Sequence, residues 1–191
     1  MEKLVQVKNL VYTECQVNPR LQWFWSSHIA IVAENAQELA TKHGGNMELV
    51  MLGAYLHDIG RIRDANGQEH DVVGIPMVKD ILLGFGYGTI YVGVQDIVRT
   101  HRCHSDNMPR TLEEKLVATA DAMSHFRGDF YLHRLWYHGP DSNFKEHIKE
   151  SLKKMERDFR DKIFFPDARE KIALDYKAFK RVYSSTFVDS G

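Results

Sequence analysis

Apolar positions recur at helical spacing along nearly the whole chain, and the few alternating stretches are too short to read as strands. Residues 3–17 put Leu4, Val7, Leu10 and Val11 on one side of a first helix, which Asn18-Pro19 closes. A second helix runs from about Leu21 to Lys42, with Phe24, Ile31, Val32 and Leu39 on its apolar face; Gly44-Gly45 stops it, and Ser26-Ser27 is its weak point. A third, from about Met47 to Ile59, is apolar nearly all round (Leu49, Val50, Leu52, Gly53, Leu56, Ile59), which predicts a central, buried position with Gly60 as the stop. After a polar loop turning at Asn66-Gly67, a fourth helix covers about His70 to Leu83, and Pro76 should kink it or mark a later start.

The three glycines of Gly84-Phe85-Gly86-Tyr87-Gly88 read as a tight interhelical turn, because their spacing fits neither a Walker nor a dinucleotide loop. A fifth helix covers about Ile90 to His101. Thr111 with Glu114 makes a capping box for a sixth, about Leu112 to Phe126, which buries Leu116, Val117, Ala120 and Met123. Residues 129–138 are rich in aromatics. Gly139-Pro140 then breaks the chain, and Asp141 or Ser142 caps a long charged helix to about Lys162. A last helix runs from about Asp167 to Tyr183. The pattern predicts an all-α protein.

Composition narrows this little. With 191 residues the chain suits one domain carrying a helical appendage, and 43% hydrophobic residues suffice for a core. A net charge of -1 exerts no general pull toward nucleic acid or membrane. No apolar run approaches the roughly 18 residues of a membrane span. The start of the chain lacks the apolar stretch of a signal peptide. Cys15 and Cys103 form no disulfide pattern, so the expected home is the cytoplasm. The ten histidines are the one oddity.

Some of these histidines sit where polar groups are costly. His57-Asp58 ends the most apolar helix, and Asp121 lies inside the core-facing sixth helix; each requires a compensating partner. Imidazole and carboxylate are good metal ligands. His28, His70 and His101 lie on helices or at their ends and complete a set of six.

That set resembles the HD-domain superfamily, whose pattern is a His, then His-Asp, then a distal Asp on one helical bundle. His28, His57-Asp58 and Asp121 match it. Leu56-His57-Asp58-Ile59-Gly60-Arg61 is similar to the family's HDIG-basic motif, and Thr119-Ala120-Asp121-Ala122 to its distal acid segment. His70, four residues before Gly74, and His101, at the end of Ile97-Val98-Arg99-Thr100-His101, resemble the two further histidines of the binuclear subgroup. The likeness covers about residues 20–127. It implies an HD-domain helical bundle over residues 1–140 with a C-terminal helical extension, 141–191, packed on the same domain.

By the resemblance, His28, His57, Asp58 and Asp121 hold one divalent metal, and Asp58 bridges to a second held by His70 and His101. Two close cations need a bridging anion, and a carboxylate offers one oxygen to each. Iron or manganese suits such ligands best, with zinc, nickel, cobalt or magnesium also compatible. The implied activity is a phosphohydrolase that cleaves a phosphate ester or anhydride of a nucleotide or related small molecule, with a metal-bridging hydroxide as nucleophile. Asp58, Arg61 and His104 are the catalytic candidates, His104 as a general acid. Arg61, Arg99, Arg102 and Arg127 are candidates for binding substrate. His125, one turn after Asp121, is a candidate to donate to it.

The motifs of cyclic-dinucleotide phosphodiesterases and alarmone hydrolases are absent, and Phe24 stands where trinuclear members carry a glutamate. The spacings look most like small stand-alone HD hydrolases, including those cleaving dinucleoside tetraphosphates. The rival reading is a mixed-valent diiron oxygenase of the same superfamily, which uses the same six ligand types. The charged helix 142–162 reads as solvated surface, or alternatively as cover for the interface of a homo-oligomer.

Overall fold

The computed structural model of the protein describes residues 2–64, 69–138 and 143–185. Two expected features therefore lie outside the described residues: the Asn66-Gly67 turn and the break and cap over Gly139 to Ser142. The described chain is an all-α bundle with no strand among its described residues. Its helices are α1 (Glu2–Val17), α2 (Gln22–Phe24), α3 (Ala30–His43), α4 (Met47–Leu56), α5 (Ile59–Arg63), α6 (His70–Gly84), α7 (Tyr91–Thr100), α8 (Leu112–Ser124), α9 (Phe130–His138), α10 (Phe144–Asp161) and α11 (Pro166–Ser184).

Helix α4 is the centre. Asn46 caps it, its side chain accepting from Leu49 N at 3.1 Å. Every residue from Val50 to Leu56 is buried, which is why this segment is apolar on all sides. It packs against α1, α3, α7 and α8, and α3 lies along α8. Fully buried Leu52 and Leu56 each stabilise the bundle by about 1.5–3 kcal/mol.

The elements depart from simple helical expectation in three places. Between α2 and α3 the chain makes a π-helical turn, Trp25–Ile29, over the Ser26-Ser27 weak point. A π turn accommodates an extra residue, and here Ser27, His28 and Ile29 are all buried.

The helix expected to run to Ile59 ends at Leu56, and the chain resumes as α5 after His57-Asp58. Gly60 is therefore not a stop but sits inside α5. A Cβ there would run into the backbone carbonyl of His70, so its role is to let α5 lie directly against the start of α6. Finally, α6 begins at His70 despite Pro76, so the later start does not occur.

The expected capping box of α8 forms in part: Thr111 caps the helix, but the returning carboxylate reaches one residue before the cap. Glu114 N donates to Thr111 Oγ1 at 3.3 Å, and the Glu114 carboxylate accepts from Arg110 N at 2.9 Å. The glycine-rich stretch after α6 is a turn, with Lys3 Nζ donating to Gly86 O at 2.7 Å. The charged helix, α10, is not all surface. Ile148, Ser151, Met155 and Asp158 form a buried stripe along it, and it packs on α8, α9 and α11.

Candidate metal centre

Six side chains from five separate segments meet at one end of the bundle, all buried: His28 from the π turn, His57 and Asp58 from the α4–α5 junction, His70 opening α6, His101 closing α7, and Asp121 inside α8. They form two groups, each able to hold a metal ion: His28, His57 and Asp121 in one, Asp58, His70 and His101 in the other. Asp58 faces both. Its Oδ2 lies 3.3 Å from His28 Nε2 and 3.7 Å from His57 Nε2, and its Oδ1 lies 2.9 Å from His70 Nε2 and 3.6 Å from His101 Nε2. Asp121 Oδ1 is 3.5 Å from His28 Nε2 and 3.9 Å from His57 Nε2.

The outer hydrogen bonds decide which ring nitrogens face inward as bases. His57 Nδ1 meets Ala54 O at 2.9 Å and His101 Nδ1 meets Val98 O at 2.7 Å; a carbonyl only accepts, so both Nδ1 atoms carry the proton. The Ser124 hydroxyl donates to Asp121 O, so it accepts from His28 Nδ1, 2.9 Å away. Burial lowers the pKa of His28 and takes that of His101 down to about 4, keeping these rings neutral. The Nε2 lone pairs of His28 and His57 thus face each other at 3.1 Å with no proton between them. Asp58 Oδ1 is buried without a hydrogen-bond partner. A cation makes such an arrangement favourable, and separations of roughly 3–4 Å are what donors on one metal have. The donor set of each group fits a divalent ion.

Burial by itself would raise the Asp58 carboxyl, but Arg61, His70 and His57 outweigh it and hold it well below the carboxylate range. For Asp121 burial is likewise outweighed, by Lys162, His125 and His28. Lys162 Nζ lies 2.6 Å from Asp121 Oδ2, leaving Oδ1 to the cluster. His125 links Asp121 to α10: its Nε2 is 3.4 Å from Asp121 Oδ1, and its Nδ1 donates to Asp158 Oδ2 at 2.9 Å. Asp158 also receives Lys154 at 2.7 Å.

Above the two groups opens a cleft of about 450 Å³. Its floor is His28, Asp58, His70, His101 and Asp121. Its walls carry seven basic residues, Arg61, Arg102, Arg134, Lys153, Lys154, Arg157 and Lys162, with Phe130, His125 and Glu150.

The profile of the HD domain matches the chain from residue 25 to residue 125. The protein belongs to the HD domain family. Relatives of this HD protein include an uncharacterized protein of Methanocaldococcus jannaschii, 39% identical over 108 residues, which are 49% of this chain and 62% of the relative. A tRNA (cytidine(56)-2'-O)-methyltransferase of Thermoplasma volcanium is 34% identical over 54% of this chain and 32% of its own length. Ribonuclease Y of Symbiobacterium thermophilum is 33% identical over 51% of this chain and 17% of its own. The chain thus spans less than two thirds of each. The crystal structure of a predicted HD superfamily hydrolase from an uncultured Thermotogales bacterium shares the fold, with TM-score 0.59 and 21% identity over 98% of this chain and 91% of that one.

Within the HD protein, the side chains expected around the six converge only in part. Arg61 and Arg102 line the cleft. Arg61 Nε sits 3.5 Å from Asp58 Oδ2, and Arg102 is paired with Asp71 at 2.5 Å. The other three candidates are not among the cleft's lining. Arg99 turns back one helical turn to Asp96, at 2.6 Å. Arg127 is bonded to Asn35 Oδ1 at 2.6 Å, a residue of α3 that ties it to the bundle. His104 is exposed beyond the end of α7.

What sequence reasoning missed is the part of the lining that comes from late in the chain: Arg134 from α9, and Lys153, Lys154, Arg157 and Lys162 from α10 and its end, with Asp158 buried behind them. A signal existed. Ser151, Asp158 and Lys162 fall on the apolar stripe of Ile148 and Met155, where a merely solvated helix would have no polar residues.

Proposed function

We propose that the protein is a metal-dependent phosphohydrolase acting on a nucleotide or related small phosphate compound. The observation that carries this reading is the pairing of two adjacent donor groups sharing Asp58 with a cleft walled by seven cations. His28, His57, Asp58 and Asp121 would hold one divalent metal and Asp58, His70 and His101 the other, iron or manganese by their nitrogen and oxygen donors. Bound there, such ions supply Lewis acidity toward a phosphoryl oxygen and an activated water.

The chain's own residues supply the rest. Asp58 directs one oxygen to each group. Lys162 fixes the rotamer of Asp121 by its contact with Oδ2. Arg61, beside Asp58 on α5, is placed to offset charge that develops on phosphoryl oxygens. A volume of about 450 Å³ lies in the range of small-molecule pockets. The rival oxygenase reading uses the same metal ligands, but a strongly basic cleft favours an anionic substrate. The Thermotogales neighbour, a predicted hydrolase, points the same way. No helix among the described residues is long and apolar enough to cross a membrane, and the two free cysteines suit a reducing cytoplasm.

The test is to purify the protein with its native metal, determine metal content, and screen phosphate release from nucleotides and simple phosphate esters. Release is expected, and it should fall at least about 10²-fold, with loss of metal, in His57→Ala and Asp58→Ala. A protein that takes up no metal on reconstitution with iron or manganese overturns the reading. Oxygen uptake without phosphate release would replace it by the oxygenase.

A further inference from the structure

The seven basic residues of the cleft are not equivalent. Arg61 is near Asp58, Arg102 is paired with Asp71, Lys153 with Glu150 at 2.9 Å, and Lys162 with Asp121. Lys154 and Arg157 share Asp158, at 2.7 and 3.5 Å. Arg134 is different. Among the described residues no hydrogen bond or ion pair reaches its guanidinium, although it is only partly exposed and lines the cleft. It comes from α9 and lines the same cleft as Arg61 of α5. The two guanidiniums are near enough that Arg61 disfavours the charge on Arg134, adding to the effect of burial. Arg61 is incompletely paired: its buried Nε is 3.5 Å from Asp58 Oδ2 and makes no hydrogen bond, and its Nη2 reaches only His70 Nδ1, at 3.5 Å. Two like charges brought together at a cleft, both short of acceptors, describe an anion site whose anion comes from solution.

The position of the site defines the ligand. Arg61 is beside Asp58, so an anion on the metal floor reaches it. Arg134 lines the same cleft with Glu150, Lys153 and Arg157, away in the chain from the six clustered residues. A substrate with one phosphate would satisfy the floor and leave Arg134 unpaired.

Resting on the phosphohydrolase reading, we propose that Arg134, in the same cleft as Arg61, forms a second anion subsite that holds a further phosphate, so that the substrate is a small molecule carrying two or more adjacent phosphates and not a simple monophosphate ester. Arg134 is thus a specificity-determining residue, outside the stretch that matches the HD domain profile.

The probes are methylphosphonate and methylenediphosphonate, which present one and two non-hydrolysable phosphonates. Binding to the full-length, metal-loaded protein is measured by calorimetry, with metal content checked before and after. The diphosphonate is expected to bind at least roughly tenfold tighter, the scale of one added charge-assisted contact. In Arg134→Met that preference should collapse toward one. In Arg134→Lys, which keeps the charge but loses the fork, part of it should return. Circular dichroism matching the parent protein establishes that both variants fold. Equal affinity of the parent protein for the two probes overturns the second subsite, as does an Arg134→Met variant that weakens both alike, while the phosphohydrolase reading stands. Failure of the parent to bind either probe overturns the subsite and that reading together.

Discussion

At the scale of single residues, the cluster is held ready by groups that are not among the six gathered side chains. Lys162 is the sharpest case. It is buried, and its charge is matched by Asp121 at 2.6 Å and, more distantly, Asp158 at 4.0 Å. Burial works against its charge, but Asp121 and Asp158 outweigh that and raise its pKa. Replacing it with methionine strands a buried carboxylate, which in metal-free protein is expected to cost about 3–5 kcal/mol. A bound cation replaces the missing charge, so the loss should be clearly smaller in metal-loaded protein. Urea denaturation of Lys162→Met with and without chelator measures both; equal losses would mean that Lys162 packs but does not balance Asp121.

The histidines predict an acid response of the metal-free protein. Burial holds His101 down to about 4, and burial with the charge of Lys154 takes His125 down to about 3. In the unfolded chain both titrate near 6.5. Below that value the unfolded state binds protons that the folded state refuses, so stability falls as pH drops from about 6.5 toward about 4. Between pH 7 and pH 5 each such histidine should cost about 2 kcal/mol. The depressed carboxylates Asp58 and Asp121 add nothing in that window; their contribution is present above about 4 and is lost only in stronger acid. Denaturant midpoints of chelated protein at the two pH values check this, and a flat profile would contradict the buried neutral rings.

At the scale of elements, the α4–α5–α6 corner brings the two metal groups together. Asp58 lies on the break between α4 and α5, and His70 is the first residue of α6, which Gly60 allows to sit against α5. Gly60→Ala should push α6 away, since the neighbouring atoms are backbone and cannot rotate aside. The expected result is loss of metal from the His70 and His101 group, seen as metal content per chain falling from about two toward about one, with a destabilisation of about 1–3 kcal/mol. Unchanged metal content would show that the corner tolerates separation. The corner also marks a limit of pattern reading. The motif His57-Asp58-Ile59-Gly60 was legible, and so was the burial of α4, but the glycine looked like a helix stop. Its real constraint is a contact with the carbonyl of His70, ten residues on, and no local preference encodes that.

At the scale of the molecule, α10 and α11 share in the bundle's core. Ile148 and Met155 of α10 and Ile172, Tyr176 and Tyr183 of α11 are buried, and the Tyr183 hydroxyl donates to Tyr131 O at 2.8 Å. Calorimetry of the full chain is therefore expected to show one cooperative transition. A chain cut after residue 138 should unfold or aggregate because it exposes those contacts. Two well-separated transitions would instead indicate an extension that folds by itself.

The sequence by itself determined the all-helical architecture, most element boundaries, the family and the six residues that gather at the cluster. The architecture and boundaries follow from local causes, helical periodicity and caps; the family and the set of six follow from the likeness of the His28, His57-Asp58 and Asp121 segments to the HD-domain motif. Only the tertiary structure decided that His28 enters through a π turn, that Arg99 and Arg127 turn to Asp96 and Asn35, and that α9 and α10 wall the cleft with Arg134, Lys154 and Lys162. The charged helix looked solvated because its composition is averaged over all faces. Which face is buried, and against what, depends on neighbours in other helices, such as His125 against Asp158, and a charge is placed by the partner it meets in space.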